Sequence, residues 1–105
     1  MKNKKLLLAK IKKLVHAVEP KAKIILYGSV ARGDDRKNSD IDLLILVEKN
    51  KMSFKEEKRI TYPLYELEFD SGQIISPMVF SKKEWEEKHR VTPFYENIKL
   101  EGIEL

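Results

Sequence analysis

The stretch LYGSVARGDDRKNSDIDLLILVE, residues 26–48, decides the reading of this 105-residue chain. Its start closes the run AKIILY, residues 22–27, whose β-branched and aromatic residues predict a strand that stops at Gly28. Residues 29–33 predict a short helical turn, and the polar DDRKNS, residues 34–39, a loop. DIDLLILV, residues 40–47, follows as a second strand, and its continuous apolar half predicts burial on both faces. Side chains alternate along a strand, so Asp40 and Asp42 project from one side near its start and Ile41 from the other. Carboxylates this close repel one another, and burying them is costly without a positive partner. A divalent cation with oxygen ligands relieves both problems. Mg²⁺ fits best, because it binds one or two carboxylates and completes its shell with water and phosphate.

Gly28 and Ser29 form the complementary half. A Gly-Ser turn between a strand and a helical turn lets the backbone approach a ligand closely, and its N–H groups favour an anion. Ser29 adds a hydroxyl donor, Arg32 adds a positive charge one turn further on, and Gly33 permits the exit into the loop. One strand end therefore offers phosphate ligands while the next strand offers metal ligands.

Outward from this centre, Leu7, Ile11, Leu14, Val15 and Val18 recur at helical spacing and predict an amphipathic helix over 3–18, ended near Pro20. Ser53 with Glu56 three residues later predicts a capping box opening a helix that reaches about residue 69, which Pro63 is expected to kink or interrupt. Residues 74–80 predict a third strand, and Pro77 favours an edge position for it. Ser81 caps a helix over KKEWEEK, and Thr92-Pro93 open a last helix that Gly102 can close. Such alternation predicts an α/β (α+β) domain, a small sheet covered by helices, formed by residues 1–105 as one unit.

Composition narrows the function classes. Hydrophobic residues make up 42% and charged residues 36%, which suits a folded soluble domain with a densely charged surface. The 21 basic and 17 acidic residues are interspersed, so the net charge of +4 argues only weakly for nucleic acid. The absence of cysteine excludes disulfides and thiolate metal sites and fits a reducing, cytoplasmic location. The basic start followed by LLLA imitates a signal peptide, but Lys10, Lys12 and Lys13 interrupt its apolar run. No segment approaches the roughly 20 apolar residues of a membrane span.

Gly28, Ser29, Ala31, Arg32, Gly33, Ser39, Asp40 and Asp42 together spell Gly-Ser, then Ala-Arg-Gly, then Ser-Asp-x-Asp before apolar residues. This pattern resembles the signature of the minimal nucleotidyltransferases of the DNA polymerase β-like superfamily, strongly over residues 24–48 and more loosely elsewhere. The resemblance implies the nucleotidyltransferase fold, a small mixed sheet flanked by helices. It also implies that Gly28 and Ser29 hold the β- and γ-phosphates of a nucleoside triphosphate such as ATP, with Arg32 and Ser39 in the nucleotide-binding set. Asp40 and Asp42 are then the catalytic residues and Mg²⁺ ligands. The implied reaction is attack of an acceptor hydroxyl on the α-phosphate, which transfers a nucleotidyl group such as AMP and releases pyrophosphate. By the same resemblance, such proteins serve as antitoxins to a small helical ribonuclease of the HEPN type, and some adenylylate a tyrosine of that partner.

The chain departs from the pattern at one place. Active superfamily members carry a third carboxylate on a later strand, whereas QIISPMVF, residues 73–80, has no acid and Ser76 stands nearest the expected position. General base catalysis typically contributes about 10²- to 10⁴-fold, and a second metal would also be held more weakly. Three outcomes stay open: a slow enzyme, one completed by Glu66, Glu68, Asp70 or a partner's residue, or an inactive nucleotide-binding module acting through protein contact. The acceptor, the base preference and homo-oligomer formation are not specified by these residues. His16 and His89 lack metal-ligand companions, and Trp85, Phe94 and Tyr95 are expected in the core.

Overall fold

An apolar run such as Ile41–Val47 can be buried on both faces only as an inner strand, and the computed structural model, which describes residues 2–105, places it there. The elements run α1 (Lys2–Val18), β1 (Lys23–Tyr27), α2 (Gly28–Arg32), β2 (Ile41–Val47), α3 (Phe54–Ser71), β3 (Ile75–Ser81), α4 (Lys82–Lys88), α5 (Pro93–Glu101) and β4 (Ile103–Glu104). The sheet order is β3-β2-β1-β4, with β2 antiparallel to β1 and parallel to β3, and β4 antiparallel to β1. Helix α3 makes the crossover that a parallel pair requires. The sheet is thus mixed and flanked by helices, as the family resemblance implies.

Alternation along β2 divides the core in two. Ile41, Leu43, Ile45 and Val47 face α1 and α3, packing with Leu7, Ile11, Val15, Ile60 and Leu64. Leu44 and Leu46 face α4 and α5, packing with Trp85, Tyr95 and Ile98. Ile41, Leu43, Leu44, Ile45 and Val47 have no exposed surface. Their burial contributes roughly 10 kcal/mol before conformational entropy is subtracted, which offsets the cost of seating carboxylates at the head of the same strand. Trp85 and Tyr95 are core residues as expected, and the two histidines serve packing: His16 Nε2 lies 2.9 Å from the Ala22 carbonyl oxygen, and the His89 ring packs on Phe80 and Trp85.

The predicted caps form. Ser53 Oγ accepts from the Glu56 N–H while the Glu56 carboxylate accepts from the Ser53 N–H, and Ser81 and Thr92 cap α4 and α5 through the Glu84 and Tyr95 N–H groups. Helix α3 runs through Pro63 as one element, so the proline does not interrupt it; the capping box and the buried Ile60, Thr61 and Leu64 hold it on both sides. One feature differs from expectation. Strand β4 is not anticipated by periodicity, since two residues carry no pattern; it exists because Gly102 lets α5 end against β1. A Cβ at Gly102 would stand 2.5 Å from the Ile98 carbonyl oxygen and 2.7 Å from Ile25 Cγ2. Pro77 does lie on an edge strand, as its missing N–H demands.

Lys49 pairs with both Glu19 and Glu56 and so ties the β2 exit to α1 and α3. The Lys49 ammonium, with help from the Ser53 N–H, pulls the Glu56 carboxyl down to about 2 from its ordinary 4.5. A depressed carboxylate contributes stability that is present above its ordinary value and is lost as pH falls through the folded one. Glu56→Gln should therefore lower the thermal midpoint at pH 7, and the gap from the natural protein should shrink as pH falls below about 4.5 towards 2.

Candidate active site

The antiparallel register sets Tyr27 opposite Asp42, so the first residue beyond β1, Gly28, arrives beside the Asp42 carboxylate. Gly28 has φ of 77°, and any Cβ there would collide with Asp42 Oδ2. Position 28 is therefore glycine for two reasons, a left-handed backbone and the absence of side-chain volume. Gly33, with φ of 79°, ends α2 and turns the chain into the loop that returns to Asp40.

Asp42 is half-buried and Asp40 exposed. Burial, and then repulsion from Asp40, pushes the Asp42 carboxyl above its ordinary value, while the Arg32 charge opposes this in part. Burial and the Asp42 charge likewise raise the Tyr27 phenol, whose hydroxyl points to Met78 Sδ at 3.6 Å. The pair of carboxylates is thus held in a field that a cation would relieve. Two carboxylate donors on one strand face fit a single hard divalent cation that keeps water or phosphate in its remaining positions. They do not make a complete protein cage: among the described residues no cluster of three or more His, Cys, Asp or Glu is placed to bind a metal.

The parallel register answers where the third carboxylate would stand. Asp42 pairs with Ser76, so that serine is its neighbour on β3, on the face shared with Tyr27. Glu66, Glu68 and Asp70 do not take its place. Glu66 and Asp70 are exposed on α3, and Glu68 Oε1 accepts from the Ile75 N–H at 2.8 Å to close the entry into β3.

Arg32 and Ser39 are placed differently from Gly28. The Arg32 guanidinium donates to Asp34 at 3.2 Å and to Glu101 at 3.3 Å. The Ser39 hydroxyl accepts from the Arg36 N–H at 2.7 Å, closing the turn before Asp40. Ser29 is half-buried beside Gly28 in α2. Two residues absent from the sequence reading are part of this neighbourhood. Lys4 Nζ donates to Asp35 at 2.5 Å and to the Arg36 carbonyl at 2.9 Å, anchoring the loop to α1. Glu101 Oε1 accepts from the Gly28 N–H at 3.2 Å while the same carboxylate pairs with Arg32. No local signal marks Glu101, because it reaches Gly28 only through the packing of α5 on β1.

Residues 8–102 match the nucleotidyltransferase domain family. A Methanocaldococcus jannaschii protein provisionally named a protein adenylyltransferase is 35% identical over 85 residues, spanning 79% of this chain and 77% of the relative. Two solved structures share the fold at 20% identity. One is a crystal structure of a toxin-antitoxin with AMP-PNP, with TM-score 0.61 over 91% of this chain and 69% of that one. The other is a mutant of the toxin-antitoxin MntA-HpeT, with TM-score 0.59 over 92% and 69%. By its matched length and its Gly-Ser, Asp-x-Asp core, this chain belongs to the nucleotidyltransferase domain family, among the minimal nucleotidyltransferases.

Proposed function

We propose that this chain binds a nucleoside triphosphate, ATP in the simplest case, together with Mg²⁺, and transfers the nucleotidyl group to a protein hydroxyl. The observation that carries this reading is the close approach of the Gly28 backbone to the Asp42 carboxylate, which brings the Gly-Ser turn beside the Asp40 and Asp42 pair. The relative named for protein adenylylation supports AMP as the group and a protein as the acceptor. The fold neighbours from toxin-antitoxin crystals support a role as the antitoxin of a toxin partner, which the motif resemblance suggests is a HEPN-type ribonuclease.

In this reading Gly28 and Ser29 hold the terminal phosphates and Arg32 balances their charge. Asp40 and Asp42 hold the cation, which supplies charge neutralisation at the phosphoryl oxygens. The acceptor oxygen bonds to the α-phosphorus, the bond to the α–β bridging oxygen breaks, and pyrophosphate departs. Ser76 supplies no base beside Asp42, so the hydroxyl proton leaves to water. The Glu101 carboxylate stands where phosphate oxygens would accept from the Gly28 N–H and meet Arg32, and nucleotide displaces it.

A second reading has its own observation. With Ser76 in register beside Asp42, the chain acts as a nucleotide-binding module whose effect on its partner comes from contact.

Titration calorimetry with ATP and Mg²⁺ should give binding to the natural protein, tighter binding severalfold to Glu101→Gln, and none to Asp40→Asn with Asp42→Asn. Failure of the natural protein to bind removes both readings. Asp42→Asn also carries a fold control. Its carboxyl is raised in the folded state, so the ionised group destabilises the fold at neutral pH and stops doing so once pH falls below its ordinary 3.8. The variant should therefore melt higher than the natural protein at pH 7 and lose this advantage below about pH 3.8; a lower midpoint at pH 7 contradicts the assigned strain. In a radiolabelled AMP-transfer assay, Ser76→Asp should raise the rate by about 10²- to 10⁴-fold. Binding without transfer in both forms selects the second reading.

A further inference from the structure

Helix α3 presents an outer face that nothing among the described residues covers. Phe54, Tyr62, Tyr65 and Phe69 are 70%, 54%, 46% and 88% exposed, on the side of the helix away from the buried Ile60 and Leu64. Their spacing of eight, three and four residues, with Lys58 between the first two, draws one stripe along the helix. The Lys58 ammonium sits 4.2 Å from the Phe54 ring centre and 5.8 Å from that of Tyr62, so the stripe is continuous.

The flank of this stripe is charged in two blocks. Lys55 and Arg59 lie along its first half, and Glu66 and Asp70 continue the same flank in its second half. Within the chain this order is unfavourable, because Lys55–Arg59 and Glu66–Asp70 are like-charge pairs at i,i+4. Among the described residues none of the four forms an ion pair. A second α3 laid antiparallel across the stripe reverses the situation. A two-fold axis perpendicular to the helix near Tyr62 keeps each flank on its own side, so Lys55 and Arg59 of one copy meet Asp70 and Glu66 of the other. Phe54 then meets Phe69, Lys58 meets Tyr65, and Tyr62 meets its own mate. A helix face whose apolar stripe and charge blocks both read the same after this rotation is self-complementary.

We propose that this face is a homodimer interface, with a second copy of this chain as its occupant and the two α3 helices antiparallel. Glu68 does not disturb it, since its carboxylate is held by the Ile75 N–H. The candidate active site lies on the opposite face of the sheet, which α4 and α5 cover, so dimerisation leaves Gly28 and Asp42 accessible.

Sedimentation velocity on the full chain, across micromolar to millimolar concentration, reads the outcome directly. The natural protein should reach twice its 12.3 kDa chain mass. Tyr62→Ala with Phe69→Ala should remain monomeric while circular dichroism shows the fold intact. Arg59→Glu should weaken dimerisation at least about tenfold by facing Glu66 with a like charge. Adding Glu66→Arg to that variant should restore the dimer, a rescue that a merely structural role for either residue would not produce. A monomer at every concentration, which would leave the stripe to a different protein, overturns the proposal. So does a dimer indifferent to Tyr62→Ala with Phe69→Ala, or a charge swap that fails to restore association.

Discussion

The contact between the Gly28 backbone and the Asp42 carboxylate is the constraint around which the domain is arranged. It exists only because position 28 lacks a Cβ, and it holds only while β1 and β2 keep the register that pairs Tyr27 with Asp42. A slip of one residue would turn Asp42 towards α1 and α3 and replace Ile41 in that core by a carboxylate. The wholly buried side chains of β2 therefore do more than stabilise the fold. They make the slipped register prohibitive, and so fix which face of the sheet carries the acids.

Local charge is organised around the same point. Asp42 is driven above its ordinary carboxyl value by burial and by Asp40, a standing cost that the Arg32 charge opposes in part. That cation is itself divided between Asp34 and Glu101. The result is a deficit of positive charge beside the carboxylates and an internal anion, Glu101, on the Gly28 turn. Both are features that the proposed cation and nucleotide would relieve.

Much of this arrangement was legible in the residues. The Asp40–Asp42 spacing, the apolar β2 and the Gly28-Ser29 break set strand, face and turn, because each depends on neighbours one to three positions away. The caps at Ser53, Ser81 and Thr92 were legible for the same reason. The span of α3 was legible too, but whether Pro63 interrupts it was not, since local propensity favours a break there and the burial of Ile60 and Leu64 on either side holds the helix together. The third-carboxylate position could be narrowed to Ser76 by counting from Ser81, but the pairing of Ser76 with Asp42 is a property of two strands separated by a helix.

What the sequence by itself determined is a glycine turn between a strand and a short helix, two carboxylates on one strand face, and no acid in the later strand that pairs with it. These are period-two and turn effects, and they act within a few residues. Tertiary structure alone decided that Glu101 accepts from Gly28, that Lys4 anchors the loop before Asp40, and that β4 closes the sheet against β1. Glu101 lies 73 residues from Gly28 and Lys4 lies 31 from Asp35. No periodicity spans such distances, and these contacts come only when burial of the two cores brings the ends of the chain to the site.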